Sequence, residues 1–150
     1  MAKILVVGSI NMDLVVRVPH SPQPGETVLG GDFETFPGGK GANQAVAAAR
    51  MGGDVTMVGR VGQDDFGNTL IKTLVDNQIR TTHVIKDSDA ATGIAMISVA
   101  ADGENSIVVA SGANYKVSVE DVNKARDLMR ETDILLVQLE CPLETVSAAI

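Results

Sequence analysis

Eight of the chain's fifteen glycines fall within the thirty residues from 38 to 67: Gly38, Gly39, Gly41, Gly52, Gly53, Gly59, Gly62 and Gly67. Glycine loses more backbone entropy on folding than any other residue. A cluster this dense is therefore justified only where segments approach closely or φ turns positive. Between its first three members and the rest lies Ala42 to Met51, which reads as a helix. Ala42, Ala45, Ala47, Ala48 and Ala49 leave it so little side-chain bulk that it can lie close against a sheet.

The flanking segments supply that sheet. Ile4-Leu5-Val6-Val7, Val55 to Val58 and Ile134-Leu135-Leu136-Val137 are short apolar runs of the kind expected for strands buried on both faces. Asp65 to Asn77 reads as a helix with Leu70, Leu74 and Phe66 on one stripe. Val119 to Arg130 reads as another, N-capped by Ser118 with Asp121 completing a capping box, and Pro142 opens a further one. Strand alternating with helix is the pattern of a parallel α/β sheet.

Two insertions break the alternation. Asp13 to Val18 and Thr27-Val28-Leu29 read as strands on either side of a Pro/Gly-rich bend. Thr92 to Ala100 and Ser106 to Ala110 flank Asp102-Gly103, a hairpin signal for a type I′ turn. These four strands, spanning about 12–36 and 92–110, are expected to form a small, mainly antiparallel lid sheet. Both insertions leave the ends of α/β strands, where ligands bind in such sheets.

Composition narrows the function. Lys and Arg number 12 against 19 Asp and Glu, a net charge of −7, which disfavours nucleic acid as a partner. Four aromatic residues (Phe33, Phe36, Phe66 and Tyr115) leave little for stacking on bases. No apolar run is long enough to cross a bilayer, so no membrane partner is expected. The single cysteine, Cys141, excludes an internal disulfide and suits a cytoplasmic setting. The two histidines, His20 and His83, lack metal-ligand spacing.

Three places carry chemistry. Gly38-Gly39-Lys40-Gly41-Ala42-Asn43-Gln44 is a glycine turn entering a helix N-terminus, where free N–H groups favour oxygen-rich or anionic ligands. It matches neither a P-loop nor G-x-G-x-x-G, and an unliganded strand-to-helix turn fits it equally well. Asn11 and Asp13 sit two apart after the first strand, so an amide and a carboxylate face one way, suiting sugar hydroxyls. An Asx-turn would also account for them. Glu140 follows the strand ending at Gln138, on the ligand edge of the sheet, although it could instead cap the helix at Pro142. Cys141, with no histidine nearby, reads as inert.

Taken together, Gly8 to Asp13, Pro24-Gly25-Glu26-Thr27, Gly38 to Ala45 followed by Gly59-Arg60-Val61-Gly62, and Gln138 to Glu144 closely resemble the ribokinase-like (PfkB) carbohydrate kinases. The resemblance implies an α/β, Rossmann-like parallel sheet with a four-stranded lid, and ATP-dependent phosphorylation of a pentose, ribose, at O5. It implies that Asn11 and Asp13 hold sugar hydroxyls, that Gly39, Lys40 and Asn43 close on the ring, and that Glu140 binds from the far side. Ala95, Ile97 and Val109 would form an apolar wall. It also implies a homo-oligomer in which the lids of two subunits clasp.

The family's second signature, a Gly-Ala-Gly-Asp turn supplying the general base, does not occur; Gly112-Ala113-Asn114 lacks the aspartate. The Asn-x-x-Glu segment associated with magnesium and the nucleotide-binding loops are not found either. The chain is therefore expected to be an N-terminal half carrying most of the acceptor site, with no catalytic residue, no bound cofactor of its own (ATP and Mg2+ serving the family reaction), and little or no activity alone. Such a half is expected to self-associate through the lid or an exposed sheet edge. The alternative is a free-standing, non-catalytic sugar-binding or self-assembling α/β module.

Overall fold

A computed structural model describes all 150 residues, Met1–Ile150. The strands and helices are β1 (Lys3–Val7), β2 (Asn11–Val18), β3 (Phe33–Gly38), α1 (Lys40–Arg50), β4 (Asp54–Gly62), α2 (Asp65–Asp76), β5 (Arg80–Asp87), β6 (Gly93–Ala100), β7 (Asn105–Ala110), α3 (Val119–Lys124), α4 (Arg126–Arg130), β8 (Ile134–Val137) and α5 (Leu143–Ala149), with a 3-10 turn over Gly112–Lys116. Two four-stranded sheets result. The first has the order β5-β4-β1-β8, all parallel. The second has the order β3-β2-β6-β7, with a central parallel pair between two antiparallel ones.

The first sheet is the body. Along β1, Val6 faces a cluster with Ala42 and Ala45 of α1 and Leu70 and Leu74 of α2. Leu5 and Val7 face the other side, against Val122, Ala125 and Ala149. The alternation of strand side chains thus feeds two cores from one apolar run. The capping box at Ser118 and Asp121 forms, and Asp64 caps α2 by accepting from the Gly67 N–H at 2.8 Å.

Three expectations need correction. Thr27–Leu29 is not a strand; the free edge of β2 is taken by Phe33–Gly38, in register from Val16–Phe33 to Asn11–Gly38. Pro37 obscured β3 in the sequence, but an edge strand tolerates a residue without a donor. Second, the turn at Asp102-Gly103 is not type I′. The Gly103 N–H donates to Ala100 O at 2.9 Å and the Ala100 N–H to Glu104 O at 2.8 Å, so a type I turn is followed by a bulge. Only Gly103 has positive φ there, at 90°. Third, the helix expected over 119–130 divides at Ala125 (φ −94°, ψ 3°), whose methyl packs beside Val122 on Leu5 and Val7. The edge strand β5, whose exposed residues Arg80, Thr82 and Lys86 are all polar, was not anticipated.

Candidate functional site

The N-terminus of α1 lies against the segment that leaves β1. A Cβ at Gly41 would come within 2.7 Å of Gly8 C and Ser9 N, and one at Gly39 within 2.6 Å of Asn11 N. These two positions account for the glycine turn: backbone meets backbone there, with no room for a side chain. The Ala42 N–H then donates to Ser9 O at 2.9 Å, and α1 is fixed to the carboxyl end of β1.

Lys40, first residue of α1, pairs with Glu140 beyond β8. The Ser9 hydroxyl donates to the second Glu140 oxygen at 2.8 Å, and the Ser9 N–H donates to Gln138 Oε1 at 3.2 Å. Glu140 is thus held by the ends of β1 and α1 and does not cap α5. Burial would raise its carboxyl, but hydrogen bonds from Lys40 and Ser9 outweigh that and hold it below the usual range.

The second sheet provides the facing wall. Phe36, Asp13, Ala95 and Val109 stand opposite one another across β3, β2, β6 and β7, hence on one face. Asn11 and Ile97, two residues to either side of that row, share it. The other face turns Met12 into the body core, with Leu14 and Ile94 against it. Asp13 lies over Gly38, where a Cβ would overlap its carboxylate. Burial, and secondarily the charge of Glu140, pushes the Asp13 carboxyl above its ordinary value.

A cavity of about 250 Å³ opens between the two walls, lined among others by Asn11, Val109, Tyr115 and Glu140. Of the expected site residues, Asn11, Val109 and Glu140 line it; Asp13, Gly39, Lys40, Ala95 and Ile97 do not, and neither does Asn43. Asn43 is exposed and lines a separate cleft between α1 and α2, beside Gly38 and Arg50. Ser9, Gln138 and Asn114 escaped the sequence reading. Asn114 is buried beneath Asn11 and donates to Asn11 Oδ1 at 2.6 Å, so Asn11 is not satisfied by an Asx-turn. Cys141 is buried, its thiol pushed up to about 11 by burial and by Glu140, consistent with an inert role.

The chemistry of this donor set is specific. Two carboxylates, an amide and one lysine already paired to a carboxylate can satisfy hydroxyl groups, which both donate and accept. They would repel a polyphosphate. No cluster of three or more His, Cys, Asp or Glu positioned for a metal ion occurs. No helix is long and apolar enough to cross a membrane.

The chain is similar to known proteins over its whole length. The profile of the pfkB family carbohydrate kinases matches residues 1–150. The ribokinase of Bacillus subtilis is 47% identical over 146 residues, 97% of this chain and 50% of that protein. A deoxyribokinase of Salmonella typhi is 41% identical over 147 residues, 98% of this chain and 48% of that protein. The structure of Arabidopsis thaliana ribokinase complexed with ribose and ATP superposes with a TM-score of 0.83 at 33% identity, covering 99% of this chain and 50% of that one. The chain spans about half the length of the curated relatives it matches.

Proposed function

The chain belongs to the pfkB family of carbohydrate kinases, and on that premise we propose that its cavity holds the acceptor sugar, a pentose, for phosphoryl transfer from ATP. The observation that carries the reading is that Asn11 from the second sheet and Glu140 from the body line one small cavity, with Asp13 next to Asn11 on the same sheet face and Lys40 paired to Glu140. Asp13 and Glu140 accept from ring hydroxyls, Asn11 and Lys40 complete the polar shell, Gly39 allows the ring close to the backbone, and Ala95, Ile97 and Val109 pack on its apolar edge. Asn43 joins only if α1 and the second sheet shift on binding.

ATP, Mg2+ and the base that deprotonates the sugar hydroxyl are assigned to residues outside this stretch, in the half that the relatives have in addition. By itself the chain positions an acceptor and is inactive or nearly so. The far face of the second sheet leaves an apolar groove of about 490 Å³ among Leu14, Val16, Phe33, Met96 and Val108. We assign it to pairing with the same sheet of a second copy, which would also cover free strand edges. The single buried cysteine fits work in the reducing cytosol.

Calorimetric titration of D-ribose and 2-deoxy-D-ribose, with a coupled kinase assay, tests the proposal. Saturable pentose binding that disappears in Asp13→Ala is expected, without turnover by the chain alone and with turnover once the complementary half of a relative is added. Turnover by the chain alone that survives Asp13→Ala would overturn both the site and the division of labour.

A further inference from the structure

The side chain beneath Asn11 fixes something that Asn11 alone leaves open, namely which end of its amide meets the ligand. Asn114 lies in the 3-10 turn after β7 and is 1% exposed. It bonds to both backbone groups of Ile10: the Ile10 N–H donates to Asn114 Oδ1 at 2.9 Å, and Asn114 Nδ2 donates to Ile10 O at 3.1 Å. A backbone N–H can only donate and a carbonyl can only accept, so the Asn114 amide has one permitted orientation. Its second Nδ2 hydrogen points to Asn11 at 2.6 Å, and the atom that receives it must be an oxygen.

That oxygen is therefore held toward Asn114, and the Asn11 NH2 group is turned the other way. It has no acceptor within the protein, and no buried polar side-chain atom is left unpartnered, so it is open to the cavity that Asn11 lines. Gly93 supports the arrangement independently. A Cβ there would overlap both Asn11 Oδ1 and Asn114 Nδ2, so the amide pair occupies the space of the missing side chain.

We propose that Asn114 is a positioning residue of the pocket: it locks the Asn11 amide so that Asn11 meets the ligand as a hydrogen-bond donor, complementing the acceptors Asp13 and Glu140. The inference rests on reading this cavity as the pentose site. Its consequence is a polarity code. One hydroxyl oxygen of the sugar is read through its lone pair by Asn11, while others are read through their hydrogens by the carboxylates.

Asn114→Asp tests it. One carboxylate oxygen keeps the bond from the Ile10 N–H, while the other offers no hydrogen to Asn11. The Asn11 amide must then turn over to donate inward, leaving an acceptor facing the sugar. Ribose affinity, measured by calorimetry, is expected to fall about tenfold. The loss should shrink to under about twofold for the one monodeoxyribose that lacks the hydroxyl read by Asn11, a selectivity that general loosening would not produce. In 15N spectra of the unsubstituted chain, ribose should shift the Asn11 NH2 signals and leave those of Asn114 in place.

Asn114→Asp that folds with unchanged ribose affinity, while Asp13→Ala abolishes binding, would overturn the proposal and leave the pocket standing. No ribose response at Asn11, Asp13 or Glu140 would overturn the pocket reading itself, and this inference with it. Should Asn114→Asp fail to fold, Asn11→Asp carries the same test from the other side. Its carboxylate can still accept from Asn114 but shows the sugar an acceptor. A loss of about tenfold supports the code and unchanged affinity refutes it.

Discussion

The two sheets have the same number of strands and opposite surroundings. In the body, Leu5, Val6 and Val7 of β1 are 0% exposed and both faces are covered. In the second sheet, all six residues of β7 and five of the six in β3 are exposed. The body behaves as a scaffold fixed by its own cores, whereas the second sheet is anchored at its root by Met12, Leu14 and Ile94. The candidate site lies across that seam, Glu140 and Lys40 on the rigid side and Asn11 and Asp13 on the lightly held one. Binding a sugar between them would therefore also fix the two sheets relative to each other.

The largest expected difference between the regions is in stability. Leu5→Ala should cost about 2–5 kcal/mol in denaturant unfolding, because the cavity opens between covered faces. Val108→Ala, on the exposed face of β7, should change stability by less than about 0.5 kcal/mol in dilute solution. A Val108 cost that grows with protein concentration would be the signature of the proposed pairing between copies. Equal costs at both positions would break the comparison.

Next in size is the split between binding and folding at the two walls. Asp13→Asn should weaken ribose binding by about tenfold to a hundredfold, as expected for hydrogen bonds to a charged group. It should leave the melting temperature unchanged or slightly higher, because burial already disfavours that charge. Glu140→Gln removes a carboxylate held by Lys40 and Ser9, so it should lower both affinity and stability. Matched losses of stability in the two variants would mean that Asp13 is as firmly built in as Glu140.

The sequence was legible where one local rule decided the outcome. The apolar run of β1, the alanine helix and the capping box at Ser118 each follow from periodicity or from a named cap. The glycine turn was legible too, as a demand for close backbone approach, although only the fold reveals that Gly8 to Asn11 is what approaches. What stayed hidden depended on partners distant in the chain. β3 exists because β2 has a free edge, and nothing in Phe33–Gly38 announces it. Asn114 orders Asn11 from 103 residues away, and Ser9 reaches Glu140 across 131. Asn43 joined the expected site on resemblance, and its helix turns it toward a different cleft.

Acid should separate the regions in order. Asp64 and Asp121 are held below the ordinary carboxylate range by hydrogen bonds that outweigh burial, and Asp87 by the Asp89 N–H and Arg60. A carboxyl whose folded pKa is depressed stabilises the fold above its unfolded pKa and loses that contribution as pH falls through the folded value. The loss therefore comes below about pH 4. Asp13 is shifted the other way, so it takes up its proton first, while the fold is intact. Ribose affinity measured at stepped pH should decline before far-UV circular dichroism does. Coincident curves would mean that Asp13 does not bind the sugar as a carboxylate.

The smallest effect gives the finest test, because it holds the local cost constant. Gly52, just past α1 in the body, and Gly103, in the β6–β7 turn, both have φ 90° and nothing within 4 Å of a would-be Cβ. Alanine at either position meets no clash and costs only the left-handed backbone, about 1 kcal/mol. In the body that cost should be shared by the cooperative unit, so Gly52→Ala should lower the protection of β1 and β4 amides together in hydrogen exchange. In the second sheet it should stay local, and Gly103→Ala should speed exchange in β6 and β7 while leaving β1 unchanged. If Gly103→Ala speeds exchange in β1 to the same degree, the sheets unfold as one unit and the seam is no weaker than either side.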